Sequence, residues 1–256
     1  MKIGIIGVGH MGTAIIQGLS KNPKNIIIAE NHPNQRVKKL AQDLGFTFTT
    51  SISEFIEKDL DIIILTTPVG VTLEVAKQLN NLPNKAIILS AAAGIKYVDL
   101  KKVFPNNPVS RIIPNIPVAI NAGTIGLFNP TENTTQINEL IKKFLEQLGD
   151  VIETTEDNLS IIGTIGGCGP AFVDVFLEAL ATSGILNGLP SNVAEKVAAS
   201  MVKGSATLAY QTQTPPAILR NQVCSPGGTT IKGVASLEKN NFRYAVIDAM
   251  NKSNQN

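Results

Sequence analysis

An α/β fold followed by an all-helical domain is predicted by the sequence's order of patterns. Short apolar runs alternate with amphipathic segments from residue 2 to about residue 154, a glycine-rich turn follows the first run, and helical spacing replaces strand-like runs thereafter. Such alternation builds βαβ units around a doubly wound, mostly parallel sheet, so the expected domains are 1–154 and 155–256.

Strands are expected at Lys2–Ile6, Ile26–Ala29, Asp61–Thr66, Ala86–Ser90, Val109–Ile113, Thr124–Phe128 and Val151–Glu153. Their unbroken Ile, Val and Leu content is that of strands buried on both faces. A helix over Gln136–Leu148 carries Ile137, Leu140, Ile141, Phe144, Leu145 and Leu148 as one stripe, with Gly149 as its C-cap. In the second domain Val193, Val197, Met201 and Leu208 recur at helical spacing, and Asn192 with Glu195 has the offset of a capping box.

Charged residues are only 16% of the 256, and the formal net charge is +2, so neither nucleic acid nor an anionic membrane is indicated as a partner. A small-molecule substrate is expected instead. The most apolar stretch, Leu159–Leu189, is interrupted by Asp174, Glu178 and glycines and is expected to fall short of a membrane span. No secretory segment is read at the amino terminus, which implies a soluble, cytoplasmic protein. Cys168 and Cys224 match no metal-ligand spacing, so reduced thiols and no metal site are expected.

The stretch "KIGIIGVGHMGTAIIQGL" sets Gly7, Gly9 and Gly12 in G-x-G-x-x-G spacing between an expected strand and an expected helix. The first glycine permits the turn, the second lets a pyrophosphate approach the backbone, and the third lets helix and strand pack closely. The anion then meets free N–H groups at the positive end of the helix dipole. A Rossmann-type dinucleotide site follows, with Gly7, Gly9, His10, Met11 and Gly12 as its loop. Glu30, with Asn31 beside it, stands at the end of the second strand, where an acid receives the ribose 2′-hydroxyl. NADH or NADPH is the expected cofactor. Glu30 leans toward NADH unless Arg36 or a nearby lysine offsets its charge; the alternative is a solvated strand-end acid. Thr66, Thr67 and Pro68, then Ala92 and Ala93, follow later strands at the carboxyl edge of the sheet. There they are expected to border the cofactor or to form ordinary turns.

A dinucleotide implies hydride transfer, and alcohol oxidation needs a general base. Of the two histidines, His10 lies in the glycine loop and His32 just past Glu30, while the helix opening the second domain contains no lysine or arginine. An imine suits such a site, because its protonated form is already electrophilic and asks mainly for positioning. "CSPGGTTIKGV", Cys224–Val234, then finds a use. The turn Ser225-Pro226-Gly227-Gly228 would aim successive amides at one point, and the hydroxyls of Thr229 and Thr230 would follow at a helix start, together holding a carboxylate. The alternative is a plain helix-to-helix turn with a hydroxyl N-cap.

Those residues resemble the pyrroline-5-carboxylate reductase family. "QVCSPGGTTIKGVASLEKNNFRYAV" (Gln222–Val246) is similar to its signature, and "GGCGPAFVDVFLEALATSGILNGLP" (Gly166–Pro190) and "RIIPNIPVAINAGTIGL" (Arg111–Leu127) resemble two further blocks. The resemblance runs from residue 1 to about residue 250. It implies reduction of (S)-1-pyrroline-5-carboxylate to L-proline, the last step of proline biosynthesis. Gly228, Thr229 and Thr230 would contact the substrate carboxylate, with Thr230 the catalytic donor near the ring nitrogen, and Asn115 and Pro117 would lie near the nicotinamide. It also implies that the helical domain dimerises, giving a homodimer or a higher homo-oligomer with the active site at the dimer interface. Three positions depart from the family pattern: Thr67 stands where a lysine is usual, Gln213 where an acid is usual, and Glu30 where a small hydroxyl or amide is usual. The other readings are a different NAD(P)H-dependent imine or hydroxyacid oxidoreductase and a non-catalytic NAD(P)-binding regulator.

Overall fold

Two compact units, Met1–Gly167 and Cys168–Asn256, make up the chain in a computed structural model that describes residues 1–79 and 81–254. The first begins β1 (Lys2–Ile6), α1 (His10–Leu19), β2 (Ile26–Glu30), α2 (Gln35–Leu44), β3 (Thr47–Thr49), α3 (Ile52–Ile56) and β4 (Ile62–Leu65). It continues through α4 (Val69–Lys77), β5 (Ile87–Ser90), α5 (Tyr97–Val103), β6 (Val109–Ile113), a 3-10 helix at Ile116–Ile120, β7 (Gly123–Phe128), α6 (Thr135–Leu145) and β8 (Gly149–Glu153). Helix α7 (Leu159–Leu186) starts here and runs on into the second unit.

The strands form one sheet in the order β3-β2-β1-β4-β5-β6-β7-β8. Every neighbouring pair is parallel except β6 with β7. From β1 the chain winds outward to β3 and then returns to β4 on the other side, so the crevice between the two directions opens where β1 meets β4. Alternation sorts each apolar run into two layers. In β4, Ile62 and Ile64 join Ile15, Ile16 and Phe144 on one face, whereas Ile63 and Leu65 join Phe55 and Phe104 on the other. Full burial of each such side chain contributes roughly 1.5–3 kcal/mol, which is why unbroken runs rather than alternating ones build this sheet.

Several expected details change. β3, with the sequence "TFT", is an added edge strand held by backbone pairing to β2, with Ile28 opposite Thr47. β4 stops at Leu65, so Thr66 lies beyond it. α6 ends at Leu145 with Glu146 as its C-cap, and Gly149 opens β8 at φ +146° instead of closing the helix. A Cβ on Gly149 would run into the backbone of Gly123, so this glycine serves strand approach. The first unit also extends past residue 154, because the opening turns of α7 pack on its sheet: a Cβ on Gly126 would meet Ile162 at 2.9 Å, and one on Gly163 would meet Ile113 at 2.9 Å.

The second unit is helical: the rest of α7, then α8 (Ser191–Thr212), α9 (Pro216–Gln222), α10 (Thr229–Lys239) and α11 (Phe242–Ser253). Residues 255 and 256 of the expected second domain lie outside the described residues. Asn192 is inside α8, whose N-cap is Pro190, so no capping box forms; Ser191 Oγ instead donates to Glu195 Oε1 at 3.1 Å. Among the described residues the only buried hydrophobics of this unit are Ala181, Ala194 and Ala198. The stripe Val193, Val197, Met201 and Leu208 is exposed. Contrary to expectation, α7 is long and apolar enough to cross a membrane by length and composition, because Asp174 and Glu178 are diluted over 28 residues.

Candidate functional site

The glycine loop leaves β1 through Gly7, whose φ of +91° lies where other residues are strained, and whose N–H donates to the Glu30 carbonyl at 2.9 Å. Gly9 is the N-cap of α1, and a Cβ there would meet no protein atom within 4 Å. The room it leaves faces outward, as close approach of a pyrophosphate requires. At Gly12 a Cβ would strike the Gly7 carbonyl oxygen, so this glycine closes helix against strand. The cap of α1 carries no side-chain hydrogen bond and its first turn no acid, which leaves the leading amides, near exposed His10 and half-buried Met11, to an anion. These features fit a dinucleotide.

Beside the loop opens a cleft of about 630 Å³, lined among others by Gly7, Glu30, Asn31, His32, Thr67 and Pro68. Glu30 closes β2 and is buried. Burial pushes its carboxyl above the ordinary value, and the charge of His32 partly offsets the rise. Asn31 acts as a strut, its Oδ1 accepting the Val8 N–H at 3.0 Å. The Arg36 guanidinium folds onto the same loop, donating to the Val8 carbonyl and, at 3.1 Å, to Thr13 Oγ1.

Thr66 donates its hydroxyl to the carbonyls of Ile6 (3.0 Å) and Gly7 (2.6 Å), stapling the loop to the end of β4. The Thr67 hydroxyl meets that of Thr72 at 2.9 Å, and Pro68 caps α4. Ala92 packs into the core and Ala93 is exposed. Asn115 is buried with both ends of its amide engaged: Oδ1 accepts the Thr124 N–H at 2.8 Å, and Nδ2 donates to the Gly166 carbonyl at 3.0 Å. Pro117 is half-buried in the 3-10 helix that follows β6.

In the second unit, Ser225–Gly228 is a turn with Pro226 second and Gly227 third at φ +71°, the pattern of type II. It is closed by the Gly228 N–H donating to the Ser225 carbonyl at 3.0 Å. This amends the expected nest, because the Gly228 amide is consumed inside the turn. Gly228 becomes the N-cap of α10 with no side-chain partner, and the amides left for an anion are those of Thr229 and Thr230 in its first turn. Both threonines are exposed.

One group that sequence reasoning passed over is Arg111, whose only signal is a charge inside an apolar strand. It is buried and paired with Glu156 at 2.7 Å.

Two family models match the chain: pyrroline-5-carboxylate reductase dimerisation at residues 156–256, and NADP oxidoreductase, coenzyme F420-dependent, at residues 2–94. A pyrroline-5-carboxylate reductase of Synechocystis is 33% identical over 98% of this chain and 94% of its own length. That of Escherichia coli is 33% identical over 98% and 95%. The crystal structure of 1-pyrroline-5-carboxylate reductase from Streptococcus pyogenes matches with a TM-score of 0.85 at 30% identity, covering 99% of this chain and 96% of that one.

Proposed function

The chain belongs to the pyrroline-5-carboxylate reductase family, and on that premise we infer that it reduces (S)-1-pyrroline-5-carboxylate to L-proline with NAD(P)H. The observation that carries this reading is likeness to the Synechocystis enzyme over 98% of the chain. The nicotinamide, when bound, supplies the hydride that adds to the C=N carbon, while the ring nitrogen keeps the proton of the iminium and NAD(P)⁺ is left. The amides at the start of α1 hold the pyrophosphate, and those of Thr229 and Thr230 at the start of α10 hold the substrate carboxylate. The Thr230 hydroxyl makes a hydrogen bond at the ring nitrogen. No general base is asked of the protein, since the iminium is electrophilic before the transfer begins.

NADH is the preferred cofactor in this reading. Glu30 and Glu74 line the cleft, and His32 is its only basic residue among the described lining, so a 2′-phosphate would be repelled where a ribose diol would be bound. Arg36 is spent on the glycine loop. We further propose that the enzyme works in the cytoplasm as a homodimer or a higher homo-oligomer. The test is loss of NADH absorbance with synthetic pyrroline-5-carboxylate, run beside NADPH: turnover with proline as product supports the reading, and cofactor binding without turnover would leave a regulator in its place.

A further inference from the structure

Arg111 sits in β6, opposite Ser90 of β5 and Phe128 of β7, with its side chain 7% exposed. Its guanidinium is used as a fork. Nη1 donates to Glu156 Oε1 at 2.7 Å, and Nη2 donates to the Ala93 carbonyl at 2.9 Å. The same oxygen of Glu156 accepts the Tyr97 N–H at 2.6 Å, the first amide of α5, whose N-cap Lys96 supplies no side-chain bond. Segment 91–97 is therefore gripped twice, at a carbonyl by Arg111 and at an amide by the carboxylate that Arg111 itself holds. A buried ion pair is weak ground for stability, since an apolar pair of like volume often does as well. What a planar guanidinium supplies is direction: its two donors fix the angle between the groups they hold.

The gripped segment leaves β5 at the carboxyl edge of the sheet, on the β4 side of the switch point. Glu30 closes β2 on the other side, and the cleft it lines reaches from there to Thr67, Pro68 and the start of α4. We propose that Arg111 and Glu156 are positioning residues that hold the backbone at Ala93–Gly94 against the nicotinamide half of the cofactor, and that they leave its adenosine half untouched. The inference rests on the dinucleotide site proposed above and is independent of which imine is reduced.

The test compares ligands that differ only by the nicotinamide. In purified Glu156→Ala protein, NADH binding measured by fluorescence or calorimetry weakens and kcat falls on the order of 10- to 100-fold, the scale of a misplaced reacting group, while ADP-ribose binds as in the wild type. Glu156→Gln recovers most of the loss, because its amide oxygen still accepts from both Tyr97 and Arg111. If Glu156→Ala does not fold, Arg111→Lys carries the test: it keeps a cation beside Glu156, surrenders the second prong, and gives the same split between NADH and ADP-ribose. Equal weakening of both ligands, or unchanged NADH binding and kcat in a folded variant, overturns the proposal. A wild type that binds NADH but fails to reduce the pyrroline substrate would instead remove the substrate assignment, and the binding comparison would still read out.

Discussion

The first unit closes around its own core and the second does not. In Met1–Gly167 both faces of the sheet are covered, and large side chains such as Phe55, Phe104 and Phe144 are almost wholly out of water. In Cys168–Asn256 three alanines are the buried hydrophobics among the described residues, while Val175 is 66% and Leu186 81% exposed. Apolar area left in water contributes nothing to folding, so four helices and part of a fifth with so little interior need a second surface. Residues 156–256 match a pyrroline-5-carboxylate reductase dimerisation model, which points to a homo-oligomer. One unit carries a finished fold, whereas the other leaves an apolar face open.

A charge on the open face breaks this comparison if it is wrong. Val175→Asp on a truly solvated face would change stability by no more than about 0.5 kcal/mol. Covered by another copy it buries an unpaired carboxylate, at a cost of several kcal/mol, so sedimentation should show dissociated or aggregated protein and turnover should collapse. An unchanged oligomer with full activity would mean that the second unit is closed in some other way. Next in size is Thr230→Ala, which removes a hydrogen-bonding hydroxyl from the helical unit alone: kcat/KM should fall by up to about 10²-fold while NADH binding to the first unit is kept. Wild-type turnover in that variant would clear Thr230 of a part in the reaction.

Glu30→Ser acts on the first unit alone. The NADH-to-NADPH ratio of kcat/KM should move toward NADPH by about tenfold, which is 1.4 kcal/mol, and kinetics with both cofactors decide it. The smallest effect expected is on stability. Since the folded-state pKa of Glu30 is raised by burial, its contribution is fully present below the unfolded pKa and is lost as pH rises through the folded one. Glu30→Gln does not titrate, so its Tm should gain on that of the wild type as pH rises through the raised folded-state pKa of Glu30. A difference independent of pH would show that the carboxyl is not desolvated in the fold.

Legibility differs between the units for the same reason that burial does. β1, α1 and β2 are readable because apolar runs and glycine spacing are properties of neighbouring residues; Gly7 makes the expected turn, Gly12 the expected close packing, and Gly9 opens α1 with no protein atom against it. The edge strand "TFT" is not readable, as three residues gain their structure only from pairing with β2. Gly149 reads as a helix stop until Gly123 is seen against it. The stripe on α8 predicts a helix correctly and says nothing of what covers it.

The candidate site divides along similar lines. That a Gly-Gly turn precedes two threonines at a helix start is written in order along the chain. That the Gly228 amide is already taken, leaving the donors to Thr229 and Thr230, depends on how the turn closes. Glu30 could be placed by counting from the glycines, but its desolvation depends on the cleft walls that α3 and α4 bring to it.

By itself the sequence determined the winding of the sheet, the anion-binding loop and the helical character of the second unit, because dihedral preference and hydrophobic period act between residues a few positions apart. Only the tertiary structure decided that Arg111 should meet Glu156, 45 positions away, that Asn115 should spend both ends of its amide on the scaffold, and that an apolar helix face should be left open. Hydrogen bonds and burial between distant segments depend on register and packing, which no local pattern encodes.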